Sequence, residues 1–80
     1  MKVSLTGALR TAADGVAEID VEATTIRELL TRVLERYPDM DGLVDDGIAV
    51  SINGEIFRDN WSEPIPADAE VFLLPRIQGG

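Results

Sequence analysis

The chain contains no cysteine and no histidine, and Lys2 is its single lysine. Without cysteine, neither disulfides nor thiolate metal sites are available. Without histidine and thiol, the commonest general base and a common nucleophile are both missing. A self-contained hydrolase or transferase would have to work with carboxylates or Ser/Thr hydroxyls alone. Positive charge is scarce as well: 7 Lys/Arg stand against 15 Asp/Glu, a net charge of −8. Such a balance argues against nucleic acid as a partner, because phosphate binding needs a basic patch. It argues against an anionic membrane surface for the same reason. It favours solubility and steering towards a basic partner surface. No apolar run is long enough to span a bilayer, and no basic segment followed by an apolar run opens the chain. The expectation is a soluble, cytoplasmic protein with no bound metal or cofactor.

What is present reads as one small folded domain. Hydrophobic residues make up 45% of the 80 positions, so the acidity does not imply disorder. Lys2-Val3-Ser4-Leu5-Thr6 alternates polar and apolar, as a half-buried strand does. Gly7 and Asp14-Gly15 punctuate an irregular connection through Ala8-Leu9-Arg10, and Val16 to Val21 is β-prone. Thr25-Ile26-Arg27-Glu28 is a capping box. Behind it, Ile26, Leu29, Leu30, Val33, Leu34 and Tyr37 form one helical stripe, and Pro38 stops the helix. Ile48 to Ile52 is a strand, and Asn53-Gly54 is a hairpin turn because both positions tolerate positive φ. Glu55-Ile56-Phe57 returns from it. Pro64 and Pro66 make 58–69 irregular, and Glu70 to Leu74 has the continuous apolar pattern of a central strand. The order ββαβ(β)β predicts an α+β fold, a mixed sheet packed on one main helix. Residues 1–75 make the domain, and residues 76–80 a flexible C-terminal tail.

Several groups invite a functional reading. Asp39 to Gly47 is acidic but lacks the ligand spacing of a calcium loop, so it reads as a solvated loop. Trp61 reads as the rim of a small core, with a surface anchor as the alternative. Phe72 and Leu74 fall on the strand face opposite Val71 and Leu73. They form an apolar docking patch unless a loop such as 59–64 covers them. The chain then ends in Arg76-Ile77-Gln78-Gly79-Gly80. Two terminal glycines give a carboxylate with no side chain beside it, thin enough to enter a channel that any Cβ would block.

The capped helix ending in Tyr37-Pro38, Val50-Ser51-Ile52-Asn53-Gly54-Glu55, Glu70-Val71-Phe72-Leu73-Leu74-Pro75 and Gly79-Gly80 converge on one resemblance. Over essentially its whole length the chain resembles the ubiquitin-like sulfur carriers of the MoaD/ThiS family, which include the small subunit of molybdopterin synthase and the thiamin sulfur carrier. The resemblance implies a β-grasp fold and a protein co-substrate rather than a catalyst. It implies that an ATP-dependent, ubiquitin-activating-like adenylyltransferase adenylates the Gly80 carboxylate. A sulfurtransferase then yields a thiocarboxylate, and a third enzyme takes the sulfur. The molybdopterin synthase large subunit is the leading candidate for that acceptor, with thiamin, cysteine or another thiolated metabolite as alternative destinations. ATP belongs to the activating enzyme. Gly79 and Gly80 are the reactive end, and Phe72, Leu74, Arg76, Ile77 and Gln78 the partner-binding residues. Two features depart from the family pattern: Ala67-Asp68-Ala69 replaces an Asp-Gly-Asp turn, and Arg76-Ile77-Gln78 replaces small or apolar residues before the glycines. A protein modifier joined to lysines through Gly80, and a β-grasp binding module with an inert tail, are the competing readings.

Overall fold

The computed structural model describes residues 1–58 and 60–75. Its firmest local feature is the predicted helix, α2, Ile26–Arg36. Thr25 is its N-cap, and the Thr25 hydroxyl accepts from the Glu28 amide at 3.2 Å. The Glu28 carboxylate reaches back one residue further than a standard capping box, accepting from the Thr24 amide at 2.9 Å. Ile26, Leu29, Leu30 and Val33 are buried, and Tyr37 is the C-cap. The predicted stripe therefore faces the core, with Leu34 and Tyr37 packed at its margin.

Five strands form one sheet in the order β2-β1-β5-β3-β4. They are β1, Lys2–Leu5; β2, Glu18–Asp20; β3, Ile48–Ile52; β4, Glu55–Phe57; and β5, Val71–Pro75. Strand β5 lies between β1, its parallel neighbour, and β3, its antiparallel one. That central place explains its unbroken apolar sequence. Val3, Leu5, Ile19, Val50, Ile52, Val71 and Leu73 join the helix residues in one core. At the β3–β4 hairpin, Asn53 and Gly54 take φ of 51° and 88°, the left-handed pair that a two-residue turn requires. Asn53 also ties this turn to the start of β5. Its amide donates to the Glu70 carbonyl, and its side-chain oxygen accepts from the Glu70 amide, both at 2.9 Å.

Two expectations of irregular chain are corrected. The connection through Ala8-Leu9-Arg10 is a helix, α1, Gly7–Ala12. Its signal in sequence is only the i, i+4 pair Leu9 and Ala13, both fully buried. The acidic stretch after Pro38 is a short 3₁₀ turn, Pro38–Met40, running into α3, Asp41–Asp46. Met40 is fully buried, which draws the segment onto the core despite its charge. The second strand is also shorter than Val16 to Val21, and Val16 is 38% exposed.

Candidate functional site

Strand β5 is the last described element. It runs out of the sheet at Pro75, opposite Ile48, the first residue of β3. The start of α1 packs on this exit. Thr6, the residue before α1, donates its hydroxyl to the Leu73 carbonyl at 3.2 Å. Gly7 takes φ of +56°, and a Cβ there would sit 3.2 Å from the Pro75 Cγ. The last residues of β5 are thus fixed by two hydrogen-bonded neighbours and by the turn into α1. Arg76, Ile77, Gln78, Gly79 and Gly80, five of the predicted site residues, lie outside the described residues, as does the predicted flexibility of that tail.

Phe72 and Leu74 are half-buried and belong to no core contact group. They project from the sheet face opposite α2. Directly opposed strand residues share a face, so the register places Ile56, Ser51, Phe72, Ser4 and Glu18 in one row across the sheet. Ala49 lies beside Leu74 in the next row. The neighbours of the Phe72 ring on its own face are therefore two serines, and those side chains are too small to cover it. The described part of the 59–64 loop is held elsewhere. Its backbone bonds the start of α2, with Ile26 donating to Glu63 at 3.1 Å and Arg27 to Trp61 at 2.8 Å. Trp61 packs against the core, as a rim residue does. The face carries a further apolar side chain that the sequence reading did not single out: Ile56, 53% exposed. The hairpin register alone pairs Ile56 with Ser51, and only the β3–β5 pairing then places it two strands from Phe72 on the same side.

At the other end of β1, the Met1 amine sits 3.1 Å from Asp20 Oδ1 and 3.5 Å from Glu22 Oε1. The hydrogen bond to Asp20 raises the amine pKa above its ordinary 8.0, and the nearby negative charges add to the effect. This arrangement joins the first residue to β2 and is remote from the Pro75 exit. Among the described residues no three acidic side chains are grouped to hold a metal ion, and no helix is long and apolar enough to cross a membrane.

One helix laid across a five-stranded mixed sheet, with the C-terminal strand central and parallel to the first, defines a ubiquitin-like β-grasp protein. The model of the ThiS family matches residues 3–80, and the chain belongs to that family. Membership places it among small sulfur carriers and ubiquitin-like modifiers. Solved structures agree on the fold. SAMP1 from Haloferax volcanii is 27% identical, with 99% of this chain and 97% of that chain covered and a TM-score of 0.72. A chain of the BexX/CysO complex from Amycolatopsis orientalis is 22% identical, with coverage of 99% and 98% and a TM-score of 0.76. A Pyrococcus furiosus protein assigned as molybdopterin converting factor subunit 1 is 21% identical, with coverage of 95% of each chain and a TM-score of 0.76. A sequence search of curated proteins gave no match.

Proposed function

We propose that the protein is a sulfur carrier whose reactive group is the α-carboxylate of Gly80. The observation that carries this reading is the family match, which runs on through Gly79-Gly80 rather than stopping at β5. A carboxylate is a poor electrophile. Transfer of AMP from ATP to the Gly80 carboxylate, with pyrophosphate leaving, supplies a good leaving group. A persulfide sulfur then attacks the acyl carbon and expels AMP, and a thiol cleaves the resulting S–S bond. The products are a thiocarboxylate on Gly80 and a disulfide. The chain's own residues take no part in bond making beyond Gly80, which suits a sequence without histidine or cysteine. Phe72, Leu74 and Ile56 dock the domain on its partner enzymes. Residues 76–80, including Arg76, Ile77 and Gln78, form the arm that reaches the active site. Molybdopterin synthase large subunit is the sulfur acceptor we favour, and the fold likeness to a molybdopterin converting factor subunit supports it.

A second reading has an observation of its own. The 27% identity to SAMP1, together with a likeness to the small archaeal modifier protein 1 from Methanosarcina acetivorans, favours conjugation to target lysines through Gly80. Both readings share the adenylate. Appending one residue after Gly80 should abolish ATP–pyrophosphate exchange with the activating enzyme while leaving the fold intact. Exchange that survives the extension contradicts both. ATP-dependent ladders on target proteins would assign the adenylate to conjugation. With Lys2 as the single lysine, long self-linked chains are not expected.

A further inference from the structure

The two edges of the sheet are treated differently. At the β2 edge, the outward carbonyl of Asp20 is taken by Arg36, whose Nη1 donates to it at 2.6 Å. A guanidinium over an edge carbonyl blocks strand addition there. Among the described residues the β4 edge has no such cover. The Asn53-Gly54 turn makes Ile52 and Glu55 the hydrogen-bonded pair that closes the hairpin. Bonding alternates along an antiparallel pair, so the amide and carbonyl of Ile56 point away from β3. Neither has a partner in the described structure. The Ile56 side chain is 53% exposed and continues the row that leads through Ser51 to Phe72. On the opposite side of β4, an open groove runs between the strand and Glu63–Pro66. Buried Ile52 and Ile65, Phe57 and the acidic Glu55 and Glu63 line it.

We infer that β4 is a strand-addition site for an extended segment of another protein in which apolar and basic residues alternate. Pairing with the free Ile56 amide and carbonyl would supply main-chain hydrogen bonds. Successive side chains of an added strand point to opposite faces. One set would lie beside Ile56 on the apolar sheet face. The other would enter the groove, where Glu55 and Glu63 call for lysine or arginine. A second copy of this chain fits less well. Pairing through β4 would bring the Glu55 and Glu63 carboxylates of both copies together, in a protein of net charge −8. The inference shares the Ile56 side chain with the docking face proposed above, but its main-chain bonds and groove lie on β4 and Glu63–Pro66, so it fails or holds separately from the sulfur-carrier reading.

The test is a titration of the isotopically labelled protein with a blocked peptide of alternating valine and lysine, followed by amide shifts and hydrogen exchange. The expected result is shift changes at Glu55–Phe57 and around Glu63–Ile65, with slowed exchange of the Ile56 amide. Alternate N-methylation of the peptide backbone should remove binding. Reversing both acidic charges, Glu55→Lys with Glu63→Lys, should weaken it by about tenfold. These two side chains take part in no core packing, so the doubly reversed protein is expected to fold. Any of four outcomes overturns the inference: no response at millimolar peptide, shifts confined to Phe72 and Leu74 or to Arg32 and Arg36, equal binding of a valine–glutamate peptide, or a dimer formed through β4 in sedimentation.

Discussion

Adjacent residues of β5 should fail in opposite ways when truncated. Leu73 is fully buried in the core between β1 and β3, whereas Phe72 is half-buried on the other face and outside the core. Leu73→Ala leaves a cavity in a domain with one small core, at a cost of about 2–5 kcal/mol. In a domain of this size each kcal/mol lowers Tm by roughly 4–8 °C, so Leu73→Ala should melt at least ~8 °C lower. Phe72→Ala removes a ring that is only partly withdrawn from water. It should cost about 1 kcal/mol, and Tm should fall by only a few degrees. On the proposed function, its effect should appear instead in steady-state adenylation by the activating enzyme. A ring that docks on the partner should raise KM by roughly tenfold or more on truncation, with kcat little changed, because uniform binding is lost. Circular dichroism melts and pyrophosphate release, run on both variants, decide the matter. A Phe72→Ala protein that melts as early as Leu73→Ala refutes the assignment of faces. One that is folded and keeps its KM refutes the docking role.

Three further outcomes follow from the same geometry. Thr25→Ala removes the acceptor of the Glu28 amide and should cost about 1 kcal/mol, read as a lowered midpoint in urea with unchanged slope. Gly7→Ala places a Cβ at positive φ and against Pro75, and should destabilise by roughly 1–2 kcal/mol in the same assay. The Met1 amine has its folded pKa raised above 8.0 by Asp20, so its stabilising contribution is fully present below pH 8.0. That contribution is lost as pH rises through the folded value, and Asp20→Asn should flatten the alkaline loss seen in melts taken across that range.

The sequence was most legible where a short signal was also the structural cause. Thr25, the apolar stripe from Ile26, Asn53-Gly54 and the run before Pro75 each act through local geometry, and each lies where it was expected. Helices α1 and α3 were not legible, because tertiary contact makes them. Each is six residues long with no side-chain N-cap, too short for two turns of periodicity. Leu9, Ala13 and Met40 pull them onto the core, against a composition of Gly, Asp and Thr that reads as loop. At the candidate site, strand alternation alone separated Phe72 from Leu73. Whether anything covered Phe72 depended on where the 59–64 segment goes, and its bonds to the start of α2 are long-range. Ile56 went unremarked for a related reason, since its kinship with Phe72 passes through Ser51 and exists only in the sheet.

Intact-protein mass spectrometry reads the Gly80 carboxylate, the proposed reactive group, directly. Incubated with ATP, its activating enzyme and a persulfide donor, the protein should gain the mass of one oxygen-to-sulfur exchange, localised to Gly80 by fragmentation and absent without ATP. An unchanged mass, under conditions in which the same enzyme and donor thiolate another carrier of the family, would contradict the account.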